Sequence, residues 1–293
     1  MIQIVDGKLV KNIIPKRFQD SHKGSYGTVA VLCGSKDMPG ASRLVSRGAY
    51  AAGAGLVVSF AGESFASYLK TDIPEVIVKE VYESLFNTFS EDLYMETENE
   101  IGVKDIIVFG CGVGQNVDLE SAAEDLVINN CNTLIIDGDG INLLKNNPEI
   151  LLENKGNIIL TPHPKEFSRI TGHSVEYILR NKEDCVRDFA MKYNVYLLLK
   201  GKGTIISDPE GNLWLNNSGN SSLSKGGTGD VLSGFIAGFA AQGASPLESM
   251  IVASYLHGKA GEMASEELSE YCVMASDLIK FLPNAIKVLQ GDE

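Results

Sequence analysis

Short apolar runs rich in β-branched residues alternate along the chain with longer stretches whose apolar positions recur every three or four residues. The runs at 28–33, 55–60, 75–78, 105–109, 133–137, 157–160 and 195–200 predict strands, and 41–53, 119–129 and 182–193 predict crossover helices between them. This alternation predicts an α/β fold: a mostly parallel central sheet with helices on both faces. After residue 200 the texture changes. Runs at 204–207 and 213–215 flank the turn Asp208-Pro209-Glu210-Gly211 and predict a hairpin. The stretches 229–241, 246–264 and 275–289 then predict helices, the first closely packed through Gly234 and Gly238. No internal repeat, low-complexity tract or Pro/Gly/Ser-rich linker divides the sequence, so one domain over residues 1–293 is expected.

Composition narrows the class. A hydrophobic share of 44% over 293 residues can build a substantial core. No apolar run reaches the roughly 18 residues of a membrane span, and Met1 to Lys11 lacks the apolar stretch of a signal peptide, so a cytoplasmic protein with no membrane partner is expected. Cys33, Cys111, Cys131, Cys185 and Cys272 are scattered, with no Cys-x-x-Cys pair, and are expected to be reduced, mostly buried and structural. The net charge of −13 argues against a nucleic-acid partner, which needs a broad basic face. Phosphate must instead be held locally, by backbone N–H groups at helix starts and a few lysines.

Lys225-Gly226-Gly227-Thr228-Gly229-Asp230 stands where a loop becomes an apolar helix. Without Cβ atoms the backbone N–H groups of Gly226, Gly227, Thr228 and Gly229 can close on phosphoryl oxygens, an anion hole beside the helix dipole. Asp230, in the first turn, can serve as a base that takes the proton of an attacking hydroxyl; the plain alternative is a glycine loop with Asp as a helix cap. Lys200-Gly201-Lys202-Gly203-Thr204 ends an apolar strand, where open parallel sheets place ligands, and offers lysines, N–H groups and a hydroxyl to a nucleotide. A solvated Lys-Gly turn is the alternative there. In Thr161-Pro162-His163-Pro164-Lys165-Glu166 two prolines fix the backbone around His163, either to aim it into a site or to cap a helix. Glu166 offers a carboxylate to water or Mg²⁺, against a solvated first-turn glutamate. Gly110-Cys111-Gly112-Val113-Gly114 and Asp137-Gly138-Asp139-Gly140 follow further strands and read as backbone approaching a ligand. Segments 21–27 and 34–41, on either side of the first strand, are candidates to line the same pocket or to be plain turns.

Taken together these segments resemble the ADP/ATP-dependent NAD(P)H-hydrate dehydratases, relatives of the ribokinase-like small-molecule kinases. The likeness runs from His22-Lys23-Gly24 through Pro39-Gly40-Ala41, Pro74-Glu75, 110–114, 137–142, 161–166, 200–204 and 226–230 to His257-Gly258. It implies a ribokinase-like fold and an ADP-dependent (S)-NAD(P)H-hydrate dehydratase, a carbon–oxygen lyase that repairs hydrated NADH or NADPH through a transient phosphorylated intermediate. By the same likeness Ala41, Gly114, His163 and Asp230 contact the hydrated dinucleotide, Asp230 being catalytic. Lys200, Gly201, Lys202, Gly203, Thr204 and Gly229 bind the adenine nucleotide, joined by the Gly226 to Thr228 anion hole. Mg²⁺ is implied with its ligands unassigned, as are a homo-oligomer, a tetramer by likeness, and a separate NAD(P)H-hydrate epimerase. Similarity to single-domain bacterial-type members favours ADP over ATP. Two departures stand out: Asn220-Ser221-Ser222-Leu223-Ser224 replaces the usual Asn-Pro-Gly-Met-Ala, and Cys111 stands where proline is usual. The competing readings are a ribokinase-like vitamin-precursor kinase and a non-catalytic nucleotide sensor.

Overall fold

The structure, a computed structural model, describes residues 2–81, 106–115 and 118–291. Its strands are β1 (Ile2–Ile4), β2 (Thr28–Leu32), β3 (Leu56–Gly62), β4 (Ile77–Val81), β5 (Ile106–Phe109), β6 (Thr133–Ile136), β7 (Asn157–Leu160), β8 (Tyr196–Leu199), β9 (Thr204–Ser207) and β10 (Leu213–Asn216). They form one sheet in the order β1-β10-β9-β8-β7-β6-β5-β2-β3-β4. From β8 to β4 neighbours run parallel, while β9 is antiparallel to both β8 and β10. The helices are α1 (Gly7–Ile13), α2 (Pro39–Ala51), α3 (Glu63–Asp72), α4 (Asp118–Asn129), α5 (Asp139–Leu143), α6 (Pro164–Thr171), α7 (Val175–Arg180), α8 (Lys182–Tyr193), α9 (Thr228–Ala241), α10 (Pro246–Leu268) and α11 (Ala275–Gln290). None of the described helices is long and apolar enough to cross a membrane.

The central strands are apolar throughout because both faces are covered. Along β2 the side chains alternate between two cores: Val29 and Val31 join α2, α9, α10 and α11, whereas Ala30 and Leu32 join α4, α6 and α8. The predicted α/β layering with helices on both faces is thus observed. Its details differ in places. The run at 75–78 becomes β4 two residues later, position 105 lies outside the described residues, and the sequence pattern gave no sign of β1, which pairs parallel to β10. Three residues with only half-buried or exposed side chains leave no periodic signal. Of the cysteines, Cys33 and Cys111 are buried as expected, but Cys131 and Cys272 are exposed.

Two features aim the chain at one end of the sheet. Every parallel strand from β2 to β8 delivers its carboxyl end to the same side, so Gly34, Gly110, Asp137, Thr161 and Lys200 all emerge there. Segment 21–27 instead enters β2 at its amino end, where the Tyr26 ring lies under Arg17 at 3.8 Å, so it belongs to the opposite edge of the molecule and not to that pocket. The second feature is the contact of α2 with α9. A Cβ on Gly234 would lie 2.4 Å from the Val45 carbonyl oxygen, and one on Gly238 2.4 Å from that of Ala49. Glycine lets the two backbones touch, which brings the N-termini of both helices to the carboxyl edge of the sheet.

Gly234→Ala should therefore destabilise the fold by about 1–3 kcal/mol, since the added methyl meets backbone that cannot swing aside. Gly40→Ala, at a helical position with nothing within 4 Å of the new methyl, should be neutral or slightly stabilising. Urea midpoints of the two variants test the contrast; equal midpoints would refute the close-contact reading.

Candidate active site

At the carboxyl edge a buried carboxylate organises the surroundings. Asp137 follows β6 and is 2% exposed. Its Oδ1 accepts from Lys200 Nζ at 2.6 Å and from the Gly138 N–H at 2.8 Å, and its Oδ2 accepts from Ser233 Oγ at 2.8 Å. Burial works against the charge on Asp137, but the Lys200 ammonium and these donors hold its carboxyl below the ordinary value. Burial likewise works against the Lys200 cation, and Asp137 and Glu166 overcome it, so Lys200 titrates above its ordinary value. Strand β8 places Lys200, with its N–H donating to the Pro162 carbonyl at 2.9 Å, and α9 places Ser233. Three elements are thereby tied to one carboxylate.

The loop into α9 is shaped by Gly227, whose φ of +86° is left-handed and suits glycine. Thr228 Oγ1 donates to the carbonyls of Leu223 and Lys225, both at 2.9 Å, and Lys225 Nζ reaches the Val273 carbonyl at 2.6 Å. His257 of α10 lies 2.9 Å from the Thr228 carbonyl through Nε2. Since a carbonyl only accepts, Nε2 carries the hydrogen. Burial pushes the His257 pKa down to about 4, so the ring stays neutral near pH 7. The loop is braced on several sides; in the first turn of α9 the Thr228 N–H donates to the Lys225 carbonyl at 3.4 Å and the Val231 N–H to that of Gly227 at 3.1 Å, leaving those of Gly229 and Asp230 without a helical partner.

Two cavities meet at this turn. The larger, about 690 Å³, is lined by all of Lys200, Gly201, Lys202, Gly203 and Thr204, by the segment 216–221, and by Thr228, Gly229, Ser254 and His257. The smaller, about 450 Å³, is lined by residues 37–41 and by Cys111, Asp139, Glu166, Gly226, Gly227 and Asp230. One backbone turn separates them: Thr228 and Gly229 face one cavity, Gly226, Gly227 and Asp230 the other. The sequence grouped all four loop residues with the nucleotide; the structure divides them. A Cβ on Gly229 would press against Lys200 Nζ at 3.1 Å, a contact the sequence did not show.

The remaining candidates fall around the smaller cavity. Ala41 lines it directly. Gly114 is one bond removed, its N–H donating at 3.0 Å to Asp139, which lines it. His163 caps α6: its Nδ1 accepts from the N–H groups of Lys165 and Glu166 at 3.0 and 3.2 Å, and its own N–H donates to Glu166 Oε2 at 2.8 Å. Burial holds the His163 pKa below its ordinary value. The neutral ring then carries its hydrogen on Nε2, 3.2 Å from Glu166 Oε1. Glu166 is not the solvated residue that a first-turn glutamate usually is. It is 6% exposed, and burial raises its pKa to about 7. Burial, followed by the repulsion of Asp137, raises that of Asp230 to about 6, against the opposing pull of Lys200 and Cys111. A carboxylate with that affinity is suited to accept a proton near neutrality. Sequence reasoning missed Asp137 as the partner of Lys200 and missed Ser233 altogether; a serine one turn past Asp230 in an apolar helix was the available signal.

The family model described as NAD(P)H-hydrate dehydratase matches residues 29–284. The ADP-dependent (S)-NAD(P)H-hydrate dehydratase of Bacillus subtilis is 32% identical over 279 residues, covering 95% of this chain and 95% of that protein. The bifunctional NAD(P)H-hydrate repair enzyme Nnr of Moorella thermoacetica is 31% identical over 95% of this chain, which spans 53% of that protein. The chain thus spans about half the length of such bifunctional relatives. Among solved structures, the ADP/ATP-dependent NAD(P)H-hydrate dehydratase from B. subtilis, co-crystallised with ATP/Mg²⁺, superposes with a TM-score of 0.84 at 30% identity, over 98% of this chain and 99% of that one. A ribokinase-like superfamily protein from Enterococcus faecalis superposes with a TM-score of 0.83 at 26% identity, over 99% and 97%. The fold is ribokinase-like.

The raised pKa of Asp230 has a stability consequence. Unfolded, this carboxyl titrates near its ordinary 3.8; folded, near about 6. Between those values the folded state binds more protons, so this residue's contribution falls as pH rises through the window. Asp230→Asn should consequently be more stable than the parent at pH 8, by about 1–3 kcal/mol, and lose that advantage by pH 4. Denaturant melts at the two pH values check this; an advantage independent of pH would refute the assignment.

Proposed function

Because the chain belongs to the NAD(P)H-hydrate dehydratase family, we propose that it is an ADP-dependent (S)-NAD(P)H-hydrate dehydratase acting on hydrated NADH and NADPH. One observation carries the reading: Asp230 lies on the wall of the smaller cavity in the same helical turn whose Thr228 and Gly229 line the larger one. A hydroxyl bound on one side can meet a terminal phosphoryl bound on the other. In this reading residues 200–204 and the start of α9 hold the nucleotide, while Ala41, Gly114, His163 and Asp230 serve the hydrated dinucleotide.

Asp230 takes the proton of the ring hydroxyl as its oxygen bonds to the terminal phosphorus and the bond to the leaving nucleotide breaks. The N–H groups at the start of α9 stabilise the charge that develops on the phosphoryl oxygens. Phosphate leaves far more readily than hydroxide. The ring nitrogen's lone pair expels it, the C–O bond breaks, and loss of a proton from the adjacent carbon restores the dihydronicotinamide.

Magnesium belongs to this chemistry as an ion carried on the nucleotide's phosphates, whose charge it neutralises. The described donors do not suit a resident Mg²⁺ centre. Cys111, Asp137 and Asp230 converge within 4.8 Å, but a thiol is a poor magnesium ligand, and Cys111 is held protonated by its contact with Cys33 and by burial, while Asp137 is engaged with Lys200. We further propose a cytoplasmic homo-oligomer working beside a separate epimerase that interconverts the hydrate epimers.

Mixing the protein with hydrated NADH or NADPH, Mg²⁺ and ADP or ATP should restore the near-ultraviolet absorbance of the reduced nicotinamide and release free phosphate. A lasting phosphoester would instead identify a kinase. Asp230→Asn should bind nucleotide nearly as the parent does while turnover falls about 10²–10⁴-fold. For the parent, kcat/KM should decline tenfold per unit below about pH 6, where Asp230 becomes protonated. Undiminished turnover in Asp230→Asn would remove it as the base.

A further inference from the structure

We propose that Asp137 is a positioning residue for the transfer: it clamps Lys200 beneath the first turn of α9, fixes that turn to the sheet through Ser233, and presents its own charge to Asp230. This rests on the reading of Asp230 as the base, and it gives Lys200 a role different from that of a side chain reaching for phosphate. Lys200 Nζ is 2.6 Å from Asp137 Oδ1, and a Cβ on Gly229 would lie 3.1 Å from Nζ and 3.6 Å from Asp137 Oδ2. The ion pair therefore lies directly behind the backbone that separates the two cavities. Ser233 Oγ holds the other carboxylate oxygen at 2.8 Å, one turn beyond Asp230 on the same helix. A displacement of Asp137 would thus move the cation, the anion-binding turn and the base together.

The buried pair also explains why the position of the cation is fixed. The Asp137 carboxylate, 2% exposed, needs its counter-charge, and removing the partly buried Lys200 ammonium from it is unfavourable. Lys200 consequently contributes as a stationary positive charge beneath the helix N-terminus, in register with the dipole and needing no reorganisation as negative charge builds on the phosphoryl group. The groups that bear on Asp230 come from four places: Asp137 after β6, Lys200 after β8, Cys111 after β5 and Asp139 in α5. Glu166 of α6 faces the Lys200–Asp137 pair, and His257 of α10, neutral, braces the turn. Asp137 and Lys200 act on Asp230 in opposite senses, so the charge state of the pair tunes the base.

Two measurements need no hydrated cofactor, so they stand whether or not the proposed reaction does. In the nucleotide-free protein, Asp137→Asn should move the carboxyl titration of Asp230, followed by carbon-13 NMR and assigned with Asp230→Asn, downward by about one pH unit. Ser233→Ala, which loosens the clamp without altering charge, should leave it in place. In the parent protein, the nitrogen-15 signal of the Lys200 ammonium should remain protected from solvent exchange when ADP and Mg²⁺ are added. An Asp230 titration unmoved by Asp137→Asn, or a Lys200 signal that loses protection on nucleotide binding, would overturn the proposal. Should Asp137→Asn not fold, the lysine measurement on the parent decides alone. With the reaction running, Asp137→Asn should lower kcat about 10–100-fold and change the KM for ADP less than about threefold, its acid limb following Asp230 downward.

Discussion

The ion pair between Asp137 and Lys200 is the constraint around which this end of the molecule is built. It joins the carboxyl ends of β6 and β8, strands that are not neighbours but flank β7, and it reaches α9 through Ser233. The buried Asp137 charge would not be tolerated at its depth without the Lys200 ammonium. Their mutual dependence accounts for the tight fit of Lys200 against Gly229, for a lysine directly after β8, and for a serine on the buried face of α9. A buried pair of this kind adds little to global stability compared with apolar side chains of the same size. Its value is positional, since it leaves one arrangement of strand ends and helix start available.

The close approach of α2 and α9 complements it from the other side. Gly48, Gly234 and Gly238 let the helices pack backbone against backbone, so the start of α2 brings Ala41 and Leu44 against the same small cavity that Asp230 enters. Helix α9 therefore meets the sheet through a hydrogen bond to a charge, and meets α2 through the absence of side chains. The two contacts fix the first turn of α9 in all directions. In the braced loop before it, Gly226 is open to the cavity and Gly227 takes a left-handed conformation.

Much of this was legible beforehand, for identifiable reasons. Strands covered on both faces are continuous apolar runs, and those runs located the central sheet; the turn Asp208-Pro209-Glu210-Gly211 announced the β9–β10 hairpin. Glycines at strand ends marked the carboxyl edge. What escaped was pairing over long separations. Asp137 and Lys200 are 63 residues apart and Asp137 and Ser233 are 96 apart, and nothing local in either segment names its partner. Segment 21–27 carried the same small polar residues as a ligand loop but stands before its strand and not after it, and strand polarity alone decides that it faces away. Glu166 looked solvated because first-turn glutamates usually are; here the cap it makes with His163 faces inward.

The partition between the two cavities is a single turn of backbone, contributed by α9 and braced from beneath. Its two faces are built from different parts of the chain: the side of the larger cavity from residues 200–204 and 216–221, the side of the smaller from the start of α2 and the loops after β5 and β6. Each compartment can therefore be remodelled without disturbing the other. The two compartments are separate inheritances held to a common hinge. A scaffold divided in this way can change what the smaller cavity admits by altering the start of α2 and the loops after β5 and β6, with the larger cavity kept intact.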